Sequence, residues 1–325
     1  MAKLQTTYLG LSMQSPLIVS SSGLNSSVDR IKKYQDYGAG AIVLKSLFEE
    51  QILHEVNHLE KYSDYTEASD YLKHYVSANN VNEYVNLIRN VKQEVNIPVI
   101  ASINCISDSQ WLSFASRIQE AGADALEINI FYLPLDPQRK AEEYEHIYSS
   151  IAEKLQKIIT IPVAYKLGPC FTNPLNVVEN LRYRGAKGVV LFNRFFEPDI
   201  DIHAMKVVPA DIFSNPSDIR HTLRWVAIAS HLIPDLDISA STGVHDGEAM
   251  VKMLLAGAKS VQVCSAIYRN GPKHIEVMLN TLTDWMNQKG YKSICDFRGK
   301  LNVGSIPDPT QYERSQFMKY FSNYE

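Results

Sequence analysis

At 325 residues and 45% hydrophobic content, the chain can hold two average domains or one large α/β barrel. A formal net charge of −4, with no long basic run, argues against binding a nucleic-acid backbone. The four cysteines (Cys105, Cys170, Cys264, Cys295) are widely spaced and form no CxxC pair, which argues against structural zinc, an iron–sulfur cluster or a disulfide framework and fits a reducing compartment. The opening MAKLQTTYLG lacks the apolar core of a signal peptide, and no run approaches the roughly 18 apolar residues of a membrane span. The expectation is a cytoplasmic protein without membrane contact.

Eight short apolar, β-branched runs follow one another: PLIVSS (16–21), AIVLKS (41–46), PVIASI (98–103), ALEINI (125–130), PVAYKL (162–167), GVVLFN (188–193), LDISAS (236–241) and SVQVCS (260–265). Segments of helical period separate them, such as DRIKKYQDYG, SQWLSFASRIQEAGA and HDGEAMVKMLLAGA. Three of these helices close on small residues or glycine and pass at once into a strand: YGAGAIVL, EAGADALEI and LAGAKSVQV. Such αβ joints belong to a parallel α/β fold, and eight units predict a single (β/α)8 TIM barrel over 1–325 rather than a doubly wound sheet. Long connections at 47–97 and 194–235 each follow a strand, so both emerge at the carboxyl face, where such barrels carry their function. A closing helix and tail are expected over 271–301.

The strand ends carry the chemistry. Lys45 and Lys166 each end an apolar run, and a lysine is costly to bury without an anionic partner. Two of them at one barrel mouth point to a shared anionic ligand. Ser22, Gly23, Ser46, Asn104, Asn129, Asn193, Thr242, Gly243 and Ser265 complete a cationic, amide-rich set with no acidic residue at a strand end. ASTGVHDG (240–247) and VCSAIYRNG (263–271) supply the small residues with which many barrels hold a phosphate after strands seven and eight. Together with the lysines they suggest a phosphorylated, electron-poor cofactor such as FMN.

From about residue 8 to 301 the chain resembles the class 1 dihydroorotate dehydrogenases, which are FMN-dependent (β/α)8 barrels. The resemblance rests most on the tail WMNQKGYKSICDFRGKL (285–301). SPLIVSSSGL (15–24), AIVLKS (41–46), ADALEINI (123–130), VAYKL (163–167) and STGVHDGEAMVKMLLAGAKSVQVCSAIYRNGP (241–272) add to it. It implies that Ser22 and Gly23 approach the flavin through their backbone and that Lys45 and Ser46 contact flavin and substrate. Asn129 and Asn193 would bond substrate and flavin edges; Asn104, from its strand-end position rather than the resemblance, is expected on the cofactor side as well. Lys166 would lie near the N1/O2 edge, where its charge favours the anionic reduced ring. Thr242, Gly243, Ser265 and Ala266 would hold the phosphate. A homodimer acting on a small molecule is implied as well.

Three departures concern the substrate side. The family's N-L-S-C-P-N, whose cysteine is the base, reads Asn129-Ile130-Phe131-Tyr132-Leu133-Pro134, placing Tyr132 where the cysteine stands. The family's N-S-M-G-L-P-N loop has no counterpart in DYLKHYVSANNVN (70–82), and DIFSNPSD (211–218) replaces its glycine-rich stretch after strand six. The expected activity is hydride transfer from a dihydropyrimidine-like substrate, dihydroorotate or an altered one. A flavin-binding paralogue without that turnover is the alternative.

Other patterns compete. His54-Glu55-Val56-Asn57-His58 matches the H-E-x-x-H of zinc hydrolases, although a charged helix over the barrel mouth explains it more simply. Asp199, Asp201 and His203 alternate as metal ligands on one strand face could, or as an exposed charged edge does. Cys105 and Cys170, each just past a strand end, are substitute thiol bases or plain small hydrophobes. Trp111, Trp225 and Trp285 read as core or interface.

Overall fold

The computed structural model describes residues 2–48, 68–104, 108–130, 132–195 and 197–314, with side chains omitted over 68–78 and 108–111. Eight parallel strands form the barrel: β1 Leu17–Val19, β2 Ala41–Val43, β3 Val99–Asn104, β4 Ala125–Asn129, β5 Val163–Leu167, β6 Gly188–Leu191, β7 Asp237–Ser241 and β8 Ser260–Val263. Each pairs with the next, and β8 returns to β1 through Val261 opposite Leu17, which closes the ring. Seven of the strands lie within the apolar runs read from sequence, and β3 runs one residue past its own, to Asn104.

Helices follow the strands in step: α1 Val28–Asp36, α2 Ala68–Glu94, α3 Asp108–Glu120, α4 Ala141–Gln156, α5 Pro174–Tyr183, α6 Ile219–Leu232 and α7 Gly247–Ala256, then α8 Ser265–Asn270 and α9 His274–Lys289. The local signals are those of a regular α/β chain. Asp246 caps α7 by accepting from the Ala249 amide, and Gly257, at φ 113°, ends it in the left-handed region. Trp225 and Trp285 pack against the core from α6 and α9, whereas the Trp111 side chain lies outside the described residues.

Strand alternation sorts the residues into two environments. Outward residues such as Leu17, Ile42, Ala101, Leu126, Tyr165, Val189, Ile238 and Val261 join the helices in one large apolar shell. Inward residues at the amino end of the barrel (Ile18, Ala41, Val43, Ile100, Ala125, Ala164) form a separate apolar cluster with Tyr8, Leu9 and Met13. Those last three belong to an N-terminal hairpin, Thr6–Tyr8 with Leu11–Met13, that covers that end. Its turn places Leu9 at φ 56° and Gly10 at φ 78°, the double-positive geometry of tight hairpins. Gly188 on β6 admits the plug, since a Cβ there would lie 2.6 Å from the Leu9 side chain.

Asp237 ties the plug to the barrel. Its carboxylate accepts from the Leu9 amide at 2.8 Å and pairs with Lys259 at 2.5 Å. Asp237→Ala removes both partners at once and is expected to cost about 2–3 kcal/mol of unfolding free energy. Urea titration at neutral pH reads this, and a midpoint equal to the parent's would exclude the anchoring role.

The connection after β2 carries a two-residue strand, Leu47–Phe48, that pairs with the end of β3, and later α2. The connection after β6 forms an antiparallel hairpin, Pro198–Asp201 with Lys206–Pro209, ahead of α6. Asp199 and Asp201 lie on the exposed first strand of this hairpin. Asp201 caps the turn by accepting from the His203 and Ala204 amides, so His203 sits in the turn and not on the strand face. Among the described residues no group of three His, Cys, Asp or Glu side chains could hold a metal, and no helix is long and apolar enough to cross a membrane. His54, Glu55, His58 and Cys105 lie outside the described residues.

Candidate active site

Above the apolar layer the barrel interior turns polar. Glu127 on β4, Lys166 on β5, Gln262 on β8 and Ser20 just past β1 face one another with exposures of 5% or less. The Lys166 ammonium donates to Ser20 Oγ at 3.0 Å and to Gln262 Oε1 at 3.4 Å. Ser20 also donates to Gln262 Oε1 at 3.0 Å, and the Gln262 amide donates to Glu127 Oε2 at 2.6 Å. The other carboxylate oxygen, Glu127 Oε1, has no hydrogen bond and stands 4.0 Å from the Lys166 nitrogen. Lys166 therefore has a counter-charge within the protein, which the search for an external anion from sequence did not foresee.

This network floors a cavity of about 370 Å³ that opens at the carboxyl face, within the size range of small-molecule and cofactor sites. Of the residues singled out from sequence, Lys166, Asn193, Thr242, Gly243 and Ser265 line it. Thr242 and Gly243 follow β7 with φ of 78° and 79°. The Thr242 hydroxyl donates to the Phe192 carbonyl at 2.9 Å, which locks the turn onto β6. Ser265 opens α8, and its hydroxyl oxygen accepts from the Ser214 amide at 3.1 Å. Ser214 in turn lies 2.9 Å from His245 Nε2. Burial, then the charge of Arg269, pushes the His245 imidazole below its usual range, which favours the neutral ring.

The remaining predicted residues stand around this cavity without lining it. Asn129 accepts from the Asn193 amide nitrogen at 2.8 Å, linking the ends of β4 and β6. The Ser46 hydroxyl lies 3.0 Å from that of Ser21 and 2.8 Å from that of Ser102. Ser22 accepts from the Leu24 amide, and Gly23 opens a short helical turn beside the Tyr268 hydroxyl. Ala266 is fully buried on α8, while Lys45 and Asn104 are half-buried at the ends of β2 and β3. Tyr132 and Cys170 line a second cavity that shares no residue with the first.

Sequence reasoning missed Ser20, Ser21, Glu127, Arg194, Ser214 and Gln262. Glu127 and Gln262 had left a trace, because each is a long polar side chain flanked on both sides by apolar residues within a strand, and alternation turns both inward. Arg194 reaches the cavity wall held by Glu197 at 3.0 Å and Asp218 at 3.8 Å. Cys264 also lines the cavity, but burial raises its thiol above the usual range despite the opposing charge of Lys166, so it is a poor nucleophile.

The family model described as dihydroorotate dehydrogenase matches residues 3–286. The dihydroorotate dehydrogenase A (fumarate) of Lactococcus lactis subsp. cremoris is 26% identical over 92% of this chain and 99% of its own length. The dihydroorotate dehydrogenase B (NAD(+)) catalytic subunit of Thermoplasma acidophilum is 25% identical over 92% of this chain and 99% of its own length. The NAD-dependent dihydropyrimidine dehydrogenase subunit PreA of Escherichia coli is 23% identical over 94% of this chain and 78% of its own length. A closed barrel with a buried lysine at its mouth, matched in sequence along almost all of the barrel, makes this chain a member of the dihydroorotate dehydrogenase family.

Proposed function

We propose that the protein takes hydride from a dihydropyrimidine-type substrate onto FMN held in the 370 Å³ cavity. Enzymes of the family are FMN-dependent oxidoreductases acting on the CH–CH bond of dihydropyrimidines. The observation that carries the reading is Lys166, a cation buried to 5% at the floor of a cavity whose rim holds hydroxyl and amide donors. When bound, FMN supplies the two-electron acceptor. Lys166 places positive charge where the reduced ring would gather negative charge. Thr242, Gly243 and Ser265, with Ser214 and Ala266 beside them, would hold the phosphate. Ser22, Gly23, Lys45, Ser46 and Asn104 would border the ring, and Lys45, Asn129 and Asn193 would orient the substrate. The protein works as a homodimer in the cytoplasm on this reading.

The proton leaving the substrate goes to a group other than Tyr132. A phenol is a weak base at neutral pH, and Tyr132 faces the second cavity. Anaerobic mixing of the yellow protein with dihydroorotate, dihydrouracil and dihydrothymine is expected to bleach the flavin with at least one of them. Bleaching by none of the three would sink the proposed reaction. With the active donor, Tyr132→Phe is expected to keep the bleaching rate within about twofold. A loss of about 10²-fold or more would restore Tyr132 as the base.

A further inference from the structure

The second cavity, of about 120 Å³, has its own chemistry. Ala141, Tyr144, Glu145 and Tyr148 share one face of α4 by their spacing of three, four and seven, and all four line it. Tyr132 after β4 and Phe171 after β5 complete the walls. Tyr132 meets Tyr148 at an interplanar angle of 72° with centroids 6.5 Å apart, and Tyr148 meets Phe171 at 73° and 5.3 Å. Both contacts are edge-to-face, so Tyr148 joins the other two rings into one aromatic lining.

Glu145 is the one carboxylate on this wall, and among the described residues it has neither a hydrogen bond nor an ion pair. Burial, then the neighbouring Glu142, makes its ionised form harder to keep. The Arg139 guanidinium stacks over the Tyr144 ring at 4.4 Å without lining the cavity, so a cation already sits on one of these rings. An apolar cavity of about 150 Å³ accepts a benzene-sized guest, which sets the scale for this one.

We propose that this cavity binds the alkylated ammonium group of a small organic cation, with the aromatic walls providing cation–π contacts and Glu145 the counter-charge. A neutral apolar guest would strip water from the carboxylate and return nothing for it. A bare ammonium or a metal ion calls for several oxygen partners, usually more than one of them anionic, and Glu145 is the one carboxylate in the lining. A methylated ammonium holds its charge over a greasy surface and needs one counter-ion. The inference does not depend on the flavin reading, because the two cavities share no residue.

Choline is the probe, and its neutral carbon isostere, 3,3-dimethylbutan-1-ol, is the control. Both are titrated into the flavin-loaded protein at matched ionic strength and followed by ligand-observed NMR. Choline is expected to saturate with a dissociation constant on the order of 1 mM and to bind at least about tenfold more tightly than the isostere. Glu145→Gln should remove that preference while leaving isostere binding and the flavin spectrum unchanged, and Phe171→Leu should weaken both ligands. Equal affinity for the two ligands, or no saturation by choline, overturns the proposal with no variant needed. Undiminished choline binding by a folded Glu145→Gln protein overturns it too.

Discussion

Lys166→Met is expected to be the most damaging single change in the barrel. It leaves Glu127, 1% exposed, facing Gln262 without the one cation that pairs with it among the described residues. Breaking a buried ion pair from one side costs about 3–5 kcal/mol, because the remaining charge stays desolvated. The same change removes the cation proposed to stabilise reduced flavin, so bleaching by substrate should slow by about 10²–10³-fold. Urea denaturation and anaerobic stopped-flow absorbance read the two effects separately. Adding Glu127→Gln to Lys166→Met should recover about 1 kcal/mol or more of stability, since the stranded carboxylate is gone, but none of the rate. Strictly additive stability losses would show that the 4.0 Å approach of the two groups carries no coupling. A normal bleaching rate in the single variant would remove Lys166 from the chemistry.

Gly243→Ala is expected to abolish tight flavin retention. Gly243 adopts φ 79°, a region that costs an L-residue about 1–2 kcal/mol. A Cβ there would also fall 2.1 Å from the Ile219 nitrogen and 2.6 Å from its Cα, both backbone atoms at the start of α6. A backbone clash cannot be relieved by a rotamer change, so the β7 turn and the start of α6 must separate. Flavin content per protein, read from the visible absorbance after gel filtration, should fall by about tenfold or more. Gly290→Ala is the control. Its φ is 74°, in the left-handed region, yet a Cβ at that position meets nothing within 4 Å. It should pay only the conformational cost and keep its flavin. Equal retention by the two variants would refute the steric account.

The barrel was legible because its strands are short apolar runs that begin directly after small-residue helix ends, as at Gly122 and Gly257. Alternation within those runs also reveals which residues face inward. It does not reveal which inward residues meet across the barrel, and so Lys166 announced a buried charge while its partner Glu127, mid-strand in ALEIN, went unread. The N-terminal hairpin was hidden for a different reason. Its turn puts Leu9 at positive φ, where sequence rules look for Asn or Gly, and its strands are three residues each. The hairpin after β6 was read only as one alternating strand, for its turn has Met205 at φ 50° and no glycine to mark it. Tyr132 was placed by alignment to a motif. The fold seats its ring beside Tyr148 on α4, a neighbour sixteen residues away that no local pattern indicates.

The plug at the amino end of the barrel has a consequence for traffic. With Tyr8, Leu9 and Met13 filling that end, the well above Lys166 is a cul-de-sac, and whatever reaches its floor must back out through the doorway by which it came. Donor and acceptor molecules that both need the same floor cannot pass one another there. In the proposed reaction they would visit in turn, with the oxidised product vacating before the acceptor arrives. The reducing equivalents would wait on the protein between the two visits.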